Sequence, residues 1–207
     1  VVTESVSQTK SALRRWIGAQ LRGASSEQRS AWSSLIVRQL IRNELWVPEA
    51  GQVVALFGGL KLEVDVMPLF SWLQERGCQV AFFAIEGDHM TPWLIRQHSD
   101  LKAGQMGVLE PVADPVNGVQ IPISDINVVI TPGIAFDRQN GMRLGRGKGY
   151  YDRVFADPSF KGVKLGVGFD LQVVSGVPFD SYDKSLDHLV TEQTWLTFPQ
   201  VTPANPS

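Results

Sequence analysis

The chain has 207 residues, 43% hydrophobic and 19% charged, with a net charge of −2. That is enough apolar material for one domain with a sizeable core, taken as 1–207, and too few cations for broad binding to nucleic acid. The single cysteine, Cys78, excludes an internal disulfide and a cysteine-rich zinc site, and with neither a membrane-length apolar run nor a signal-peptide core, a cytoplasmic protein away from membranes is expected.

Residues Ser7 to Arg22 are predicted to be helical, because Leu13, Trp16, Ile17 and Leu21 recur at helical spacing and would bury one face. Gly23 ends this helix. Ser25 with Gln28 spells a capping box for a second one, with Trp32, Leu35, Ile36 and Leu40 as its apolar stripe and an end near Glu44. On the first helix Lys10 and Arg14 share a face. A solvated basic edge and a pair of phosphate contacts both fit that pattern, and Arg15 competes for the register.

Val53 to Phe57 reads as a buried strand. Gly58-Gly59 follows, at the end where open α/β sheets bind ligands. Glu63 is open to two readings, a surface acid or a ligand-facing one. Asp65 suits the N-cap of a helix running to Glu75, with Pro68 in its first turn and Gly77 as its stop. Val80 to Ile85 is the next strand, and Cys78 just before it reads as a buried thiol. Glu86 to Trp93 reads as a loop or short edge strand. Met90 and Trp93 there suit either the core or a pocket wall. Ala113 to Ser124 is predicted to be loop.

The most informative stretch runs from Val128 to Phe155, VVITPGIAFDRQNGMRLGRGKGYYDRVF. A buried strand ends at Thr131-Pro132-Gly133. An apolar patch, Ile134 to Phe136, leads to a loop in which Arg143, Arg146 and Lys148 alternate with Gly141, Gly145, Gly147 and Gly149. Glycines let the backbone approach a ligand and turn its N–H groups inward, and interleaved cations suit a polyphosphate. A helix starting at Tyr150-Tyr151-Asp152 would add partial positive charge, and the Asp152 carboxylate could hold a metal ion. The spacing is neither a P-loop nor a dinucleotide fingerprint. On composition alone a mobile surface turn fits equally well. Beyond it, Lys164 to Phe169 is a strand whose glycines imply close packing. Asp187 opens a last strand, either as a turn former or as a ligand. The tail from Thr202 is expected to fray.

Taken as an ordered string, these residues resemble the 5-formyltetrahydrofolate cyclo-ligase (5,10-methenyltetrahydrofolate synthetase) family. The match comprises Pro132-Gly133, Phe136-Asp137, Arg143 through Asp152, the Lys10-x-x-x-Arg14 pair, Glu63, the segment Met106 to Pro111, and Asp187 to Glu192. The loop before Gly141 is one residue longer than the family's usual form, and Met106 stands where an aromatic is common. The resemblance implies a three-layer α/β sandwich with a mostly parallel central sheet between helices and an N-terminal helical pair. It implies ATP bound by Lys10, Arg14 and the run Arg143, Leu144, Gly145, Arg146, Gly147, Lys148, Gly149, Tyr150 and Tyr151. Folate is implied at Gly58, Glu63, Met106 and Gly147 to Tyr150, and Mg²⁺ at Asp152 and Asp187. Arg146, Lys148 and Tyr150 would carry the chemistry, ring closure of 5-formyltetrahydrofolate driven by ATP, in a protein expected to be a monomer. Two other classes keep the scaffold: a non-catalytic ligand-binding protein, and an isomerase or transferase acting on phosphosugars or CoA esters. The latter would have no evident use for Tyr150-Tyr151-Asp152.

Overall fold

The computed structural model describes residues 2–44, 46–104, 107–112 and 118–199, with side chains from residue 9 onward within those spans. Met106, residues 113–117 and the tail from Thr202 lie outside the described residues.

Helices α1 (Val2–Gly23) and α2 (Ser26–Arg42) form the N-terminal pair. The capping box closes as the sequence spells it: the Ser25 hydroxyl accepts from the Gln28 N–H at 3.1 Å, and the Gln28 side-chain oxygen accepts from the Ser25 N–H at 3.0 Å. Ile17, Leu21, Ile36 and Leu40 are buried as expected. Trp16 and Leu35 are not; they are 54% and 40% exposed. The buried stripe on α1 runs Leu13, Ile17, Leu21, so Trp16 falls at its edge. The next helix, α3 (Pro68–Glu75), starts later than expected. Asp65 is not its cap. Its carboxylate accepts from the Met67 N–H at 3.0 Å within the preceding turn, while Pro68 takes the first helical position, where a missing N–H costs little.

Among the described residues there are thirteen strands: β1 (Val53–Leu56), β2 (Gln79–Glu86), β3 (His89–Ile95), β4 (Leu101–Ala103), β5 (Leu109–Pro111), β6 (Val119–Gln120), β7 (Ile126–Thr131), β8 (Ala135–Asp137), β9 (Arg143–Leu144), β10 (Val163–Val167), β11 (Val173–Val174), β12 (His188–Val190) and β13 (Trp195–Thr197). Eight of them form the central sheet in the order β13-β12-β10-β7-β1-β2-β3-β6. The run from β12 to β2 is parallel, and the pairings at both ends are antiparallel. Strand alternation divides the core in two. Val54, Leu56, Val80, Phe82, Val128 and Ile130 pack with the apolar faces of α1, α2 and α3. Val53, Ala55, Ala81, Phe83 and Val129 point the other way, against Val154 and Phe155 of α4 (Tyr150–Ala156). This is the expected three-layer sandwich, and such continuous apolar runs suit strands covered on both faces.

Three segments are more ordered than the sequence suggested; in the expected loop up to Ser124, Val119–Gln120 forms β6 and pairs with β3. Glu86 to Trp93 belongs to a hairpin in which β3 pairs with β2 from Val80↔Ile95 to Glu86↔His89. Gly87 supplies the turn with φ +64. Pro92 sits within β3, opposite Phe83 of β2. The apolar patch after Gly133 becomes β8, which joins β11 and β9 in a small second sheet. The glycines of the β10 stretch pack closely as expected; a Cβ on Gly166 would come within 2.4 Å of the Leu186 side chain. No helix among the described residues is long and apolar enough to cross a membrane.

Candidate active site

A cavity of about 790 Å³ opens where β1, β2 and β7 end, lined there by Leu56, Phe57, Phe82, Phe83, Pro132 and Gly133. The strands therefore present their carboxyl ends to it, the usual ligand side of an open α/β sheet. Gly58 also lines it; its backbone is bridged to Leu109, and a Cβ there would come within 2.4 Å of the Leu109 Cβ.

The cationic loop forms a second wall. It leaves β9, so Leu144 is buried and its carbonyl accepts from the Ile134 N–H at 2.7 Å. Gly145, Arg146, Gly147, Lys148 and Gly149 then border the cavity before α4. Gly147 has φ +100, a backbone that side chains rarely adopt. Arg14 crosses from α1 and donates from Nε to the Gly145 carbonyl at 2.8 Å, fastening loop to helix. Burial lowers the Arg14 pKa, and nearby Asp183 opposes that shift.

Each of the other three expected arginine and lysine contacts at this wall, Lys148 apart, meets an acid. Lys10 bonds Asp180 at 2.9 Å and also bonds Asp183. Burial works against the Lys10 charge, but the two carboxylates outweigh it and raise its pKa. Lys10 in turn holds the Asp180 carboxyl below its ordinary range, helped by the Tyr182 N–H. Arg143 lies beneath the loop. It pairs with Asp152 at 3.3 Å, donates to the Pro132 carbonyl at 3.3 Å and sits 5.3 Å from the Tyr151 ring centre, while its buried Nε has no hydrogen-bond partner among the described residues. Arg146 pairs with Glu63, Nε at 3.0 Å and the terminal nitrogen at 2.9 Å; the other Glu63 oxygen accepts from the Leu60 N–H at 2.9 Å. Lys148 is exposed and makes no ion pair among the described residues.

Tyr150 donates its hydroxyl to the Gly87 carbonyl at 3.1 Å, tying the loop's exit to the β2–β3 turn. Tyr151 packs edge-on against Phe83 with ring centres 6.1 Å apart. Burial drives the Tyr151 phenol pKa upward, and Glu63 adds to the shift.

One expected residue is not brought here. Asp187 stands at the start of β12, beside Lys164, and does not line the cavity. One carboxylate oxygen accepts from the Lys164 N–H at 2.7 Å and the other pairs with the Lys164 ammonium at 3.2 Å. Those bonds join β10 to the entry of β12, and the structure does not bring Asp187 to the cavity wall beside Asp152. Met106 is outside the described residues. Sequence reasoning missed Phe179, Asp180, Tyr182 and Asp183, which do line the cavity. The only cue was the spacing of two acids in a turn, and their partner Lys10 lies some 170 residues earlier.

Against this geometry, the model of the 5-formyltetrahydrofolate cyclo-ligase family matches residues 6–192. The chain belongs to that family. Among curated cyclo-ligases, the Escherichia coli K12 protein is 32% identical over 142 residues, covering 67% of this chain and 76% of that protein. The mouse protein is 23% identical over 199 residues, covering 92% and 97%. The solved structure of Aquifex aeolicus 5,10-methenyltetrahydrofolate synthetase superposes with a TM-score of 0.77 at 29% identity, covering 95% of this chain and 96% of that one. The Mycoplasma pneumoniae synthetase gives 0.69 at 22% identity and shares the fold. The chain is thus an enzyme of the cyclo-ligase family, with the family's match running from α1 to the end of β12 and so across the whole cavity.

Proposed function

We propose that this cyclo-ligase converts 5-formyltetrahydrofolate to 5,10-methenyltetrahydrofolate while ATP goes to ADP and phosphate. The observation that carries the reading is that one cavity holds both a cation-studded glycine loop and, across it, Glu63. The loop is built for a polyphosphate and Glu63 for the paired N–H donors of a pterin ring, and Arg146 spans the two.

A formyl oxygen on an amide-like nitrogen is a poor leaving group. Transfer of the γ-phosphoryl to that oxygen breaks the Pγ–O bond to ADP and leaves an iminium-like carbon. N10 attacks that carbon and gives up its proton, and phosphate departs with the C–O electrons. The protein need only position two ligands and offset the charge that develops. Lys148, which has no ion pair among the described residues, and Arg146 steady the transferring phosphoryl group. Lys10 and Arg14 hold the rest of the triphosphate from α1. The unpartnered Nε of Arg143 leaves an acceptor wanting at the loop's base, which an anionic ligand would satisfy. Tyr150, fastened to the β2–β3 turn, borders the formyl group, and Tyr151 the nucleotide side. No side chain forms a covalent intermediate, and the protein acts as a monomer in this reading.

Magnesium fits the donor set. Asp152 and Asp183 offer carboxylate oxygens to the cavity, and among the described residues no group of three or more His, Cys, Asp or Glu is placed to hold a metal alone. Phosphate oxygens and water would complete the shell, as this ion prefers. When bound it supplies charge neutralisation at the phosphates.

The test follows methenyltetrahydrofolate absorbance after adding 5-formyltetrahydrofolate to enzyme with and without Mg-ATP. Product should form only with both, in step with ADP. No product from folded protein at high enzyme concentration would end this reading.

A further inference from the structure

Two aromatic rings at the cavity rim have no part in the chemistry described. Phe179 and Tyr182 line the cavity, yet they are 49% and 82% exposed. The turn that carries them is held firmly. Asp180 accepts from the Tyr182 N–H at 3.0 Å, Asp183 accepts from the Asp180 N–H at 2.9 Å, and Lys10 binds both carboxylates. Flat rings left in water beside a fixed cation gain most when another flat ring covers them.

Topology decides which ring that is. In the sheet, β1, β2 and β3 lie on one side of β7, and β10 and β12 lie on the other. Glu63 follows β1 and the Gly87 turn joins β2 to β3, so the pterin half belongs to the first side. Phe179 and Tyr182 lead into β12, on the second. The Lys10 and Arg14 end of α1, assigned to the triphosphate, meets that same turn.

We propose that Phe179 and Tyr182 form the stacking platform for the purine base of the nucleotide. The inference rests on the nucleotide reading above and extends it from phosphates to base. Stacking reads a π-face rather than a pattern of donors and acceptors, so the platform selects a flat bicyclic base over none, without separating adenine from guanine.

The test is calorimetric binding of Mg-ADP and of Mg-pyrophosphate to wild type, to the double variant Phe179→Ala/Tyr182→Ala, and to the ring-keeping Phe179→Tyr/Tyr182→Phe. Both side chains are solvent-facing, and thermal melts check that each variant folds. The alanine pair should weaken ADP about tenfold or more, the order expected for a lost base stack. It should leave pyrophosphate affinity in place, and the ring-keeping pair should restore ADP binding. In turnover, KM for ATP should rise while KM for 5-formyltetrahydrofolate holds. Unchanged ADP affinity in the alanine pair, or a rise in the folate KM instead, would overturn the platform alone. Wild type that binds neither ADP nor pyrophosphate would overturn the nucleotide reading along with it.

Discussion

Two lysine–aspartate pairs in this molecule look alike and are placed for different ends. Lys10 with Asp183 and Lys164 with Asp187 are similarly sheltered, with side-chain exposures of 13% and 17% in the first pair and 20% and 12% in the second. The difference is position. Asp187 spends one oxygen on the Lys164 N–H and one on its ammonium, at the entry to a strand. Its pairing is built into the sheet. Asp183 and Asp180 sit in a turn at the cavity, and under the proposed function the ammonium they hold would exchange a carboxylate for a phosphate oxygen. On the proposed function, the same residue types at the same burial are structural on one side and exchangeable on the other.

The contrast can be broken or sharpened by mutation. The largest effect is expected from Lys148→Ala on the cavity side, at least ~10²-fold in turnover, the scale for removing one transition-state charge contact. Near-normal turnover would show that the phosphates lie elsewhere. Next comes Asp187→Asn on the sheet side, which takes the charge from a sheltered pair; unfolding should show a loss of about 1–3 kcal/mol, while the magnesium titration of activity stays where it was. Lys10→Ala should act on the ligand side, raising KM for ATP about tenfold.

The smallest effect concerns pH. Asp180 has a lowered pKa, so its contribution is complete above the ordinary value of 3.8 and fades as pH falls through its lower folded value. Lys10 has a raised pKa, so its contribution is complete below the ordinary value of 10.5 and is lost as pH rises through its higher folded value. Between pH 5 and 9, then, ADP affinity should show no step that Asp180→Asn removes.

Much of this was legible in the residues. The buried runs around Val53, Val80 and Val128 have the continuous apolar character of strands covered on both faces, and Ser25 with Gln28 capped α2 as spelled. The loop from Arg143 to Asp152 was legible because its glycines and cations are adjacent in sequence. The turn at Phe179 to Asp183 was not, since its meaning comes from Lys10, a partner set beside it only by the folded α1. The Asp187 pairing was hidden for the same reason: Lys164 is a neighbour only across the β10–β12 ladder. Trp16 misled because helical periodicity gives the apolar stripe but not how far a partner helix covers its edge.

The central claim is that a nucleotide's phosphates rest on the loop from Arg143 to Gly149 while a reduced folate meets Glu63 in the same cavity. A crystal structure with Mg-ADP and 5-formyltetrahydrofolate tests it most directly. The account predicts phosphate oxygens within hydrogen-bonding reach of Lys148 and the loop amides, with Arg146 released from Glu63 and the pterin in its place. Phosphates bound away from that loop, or a pterin seated with Glu63 still paired to Arg146, would contradict it.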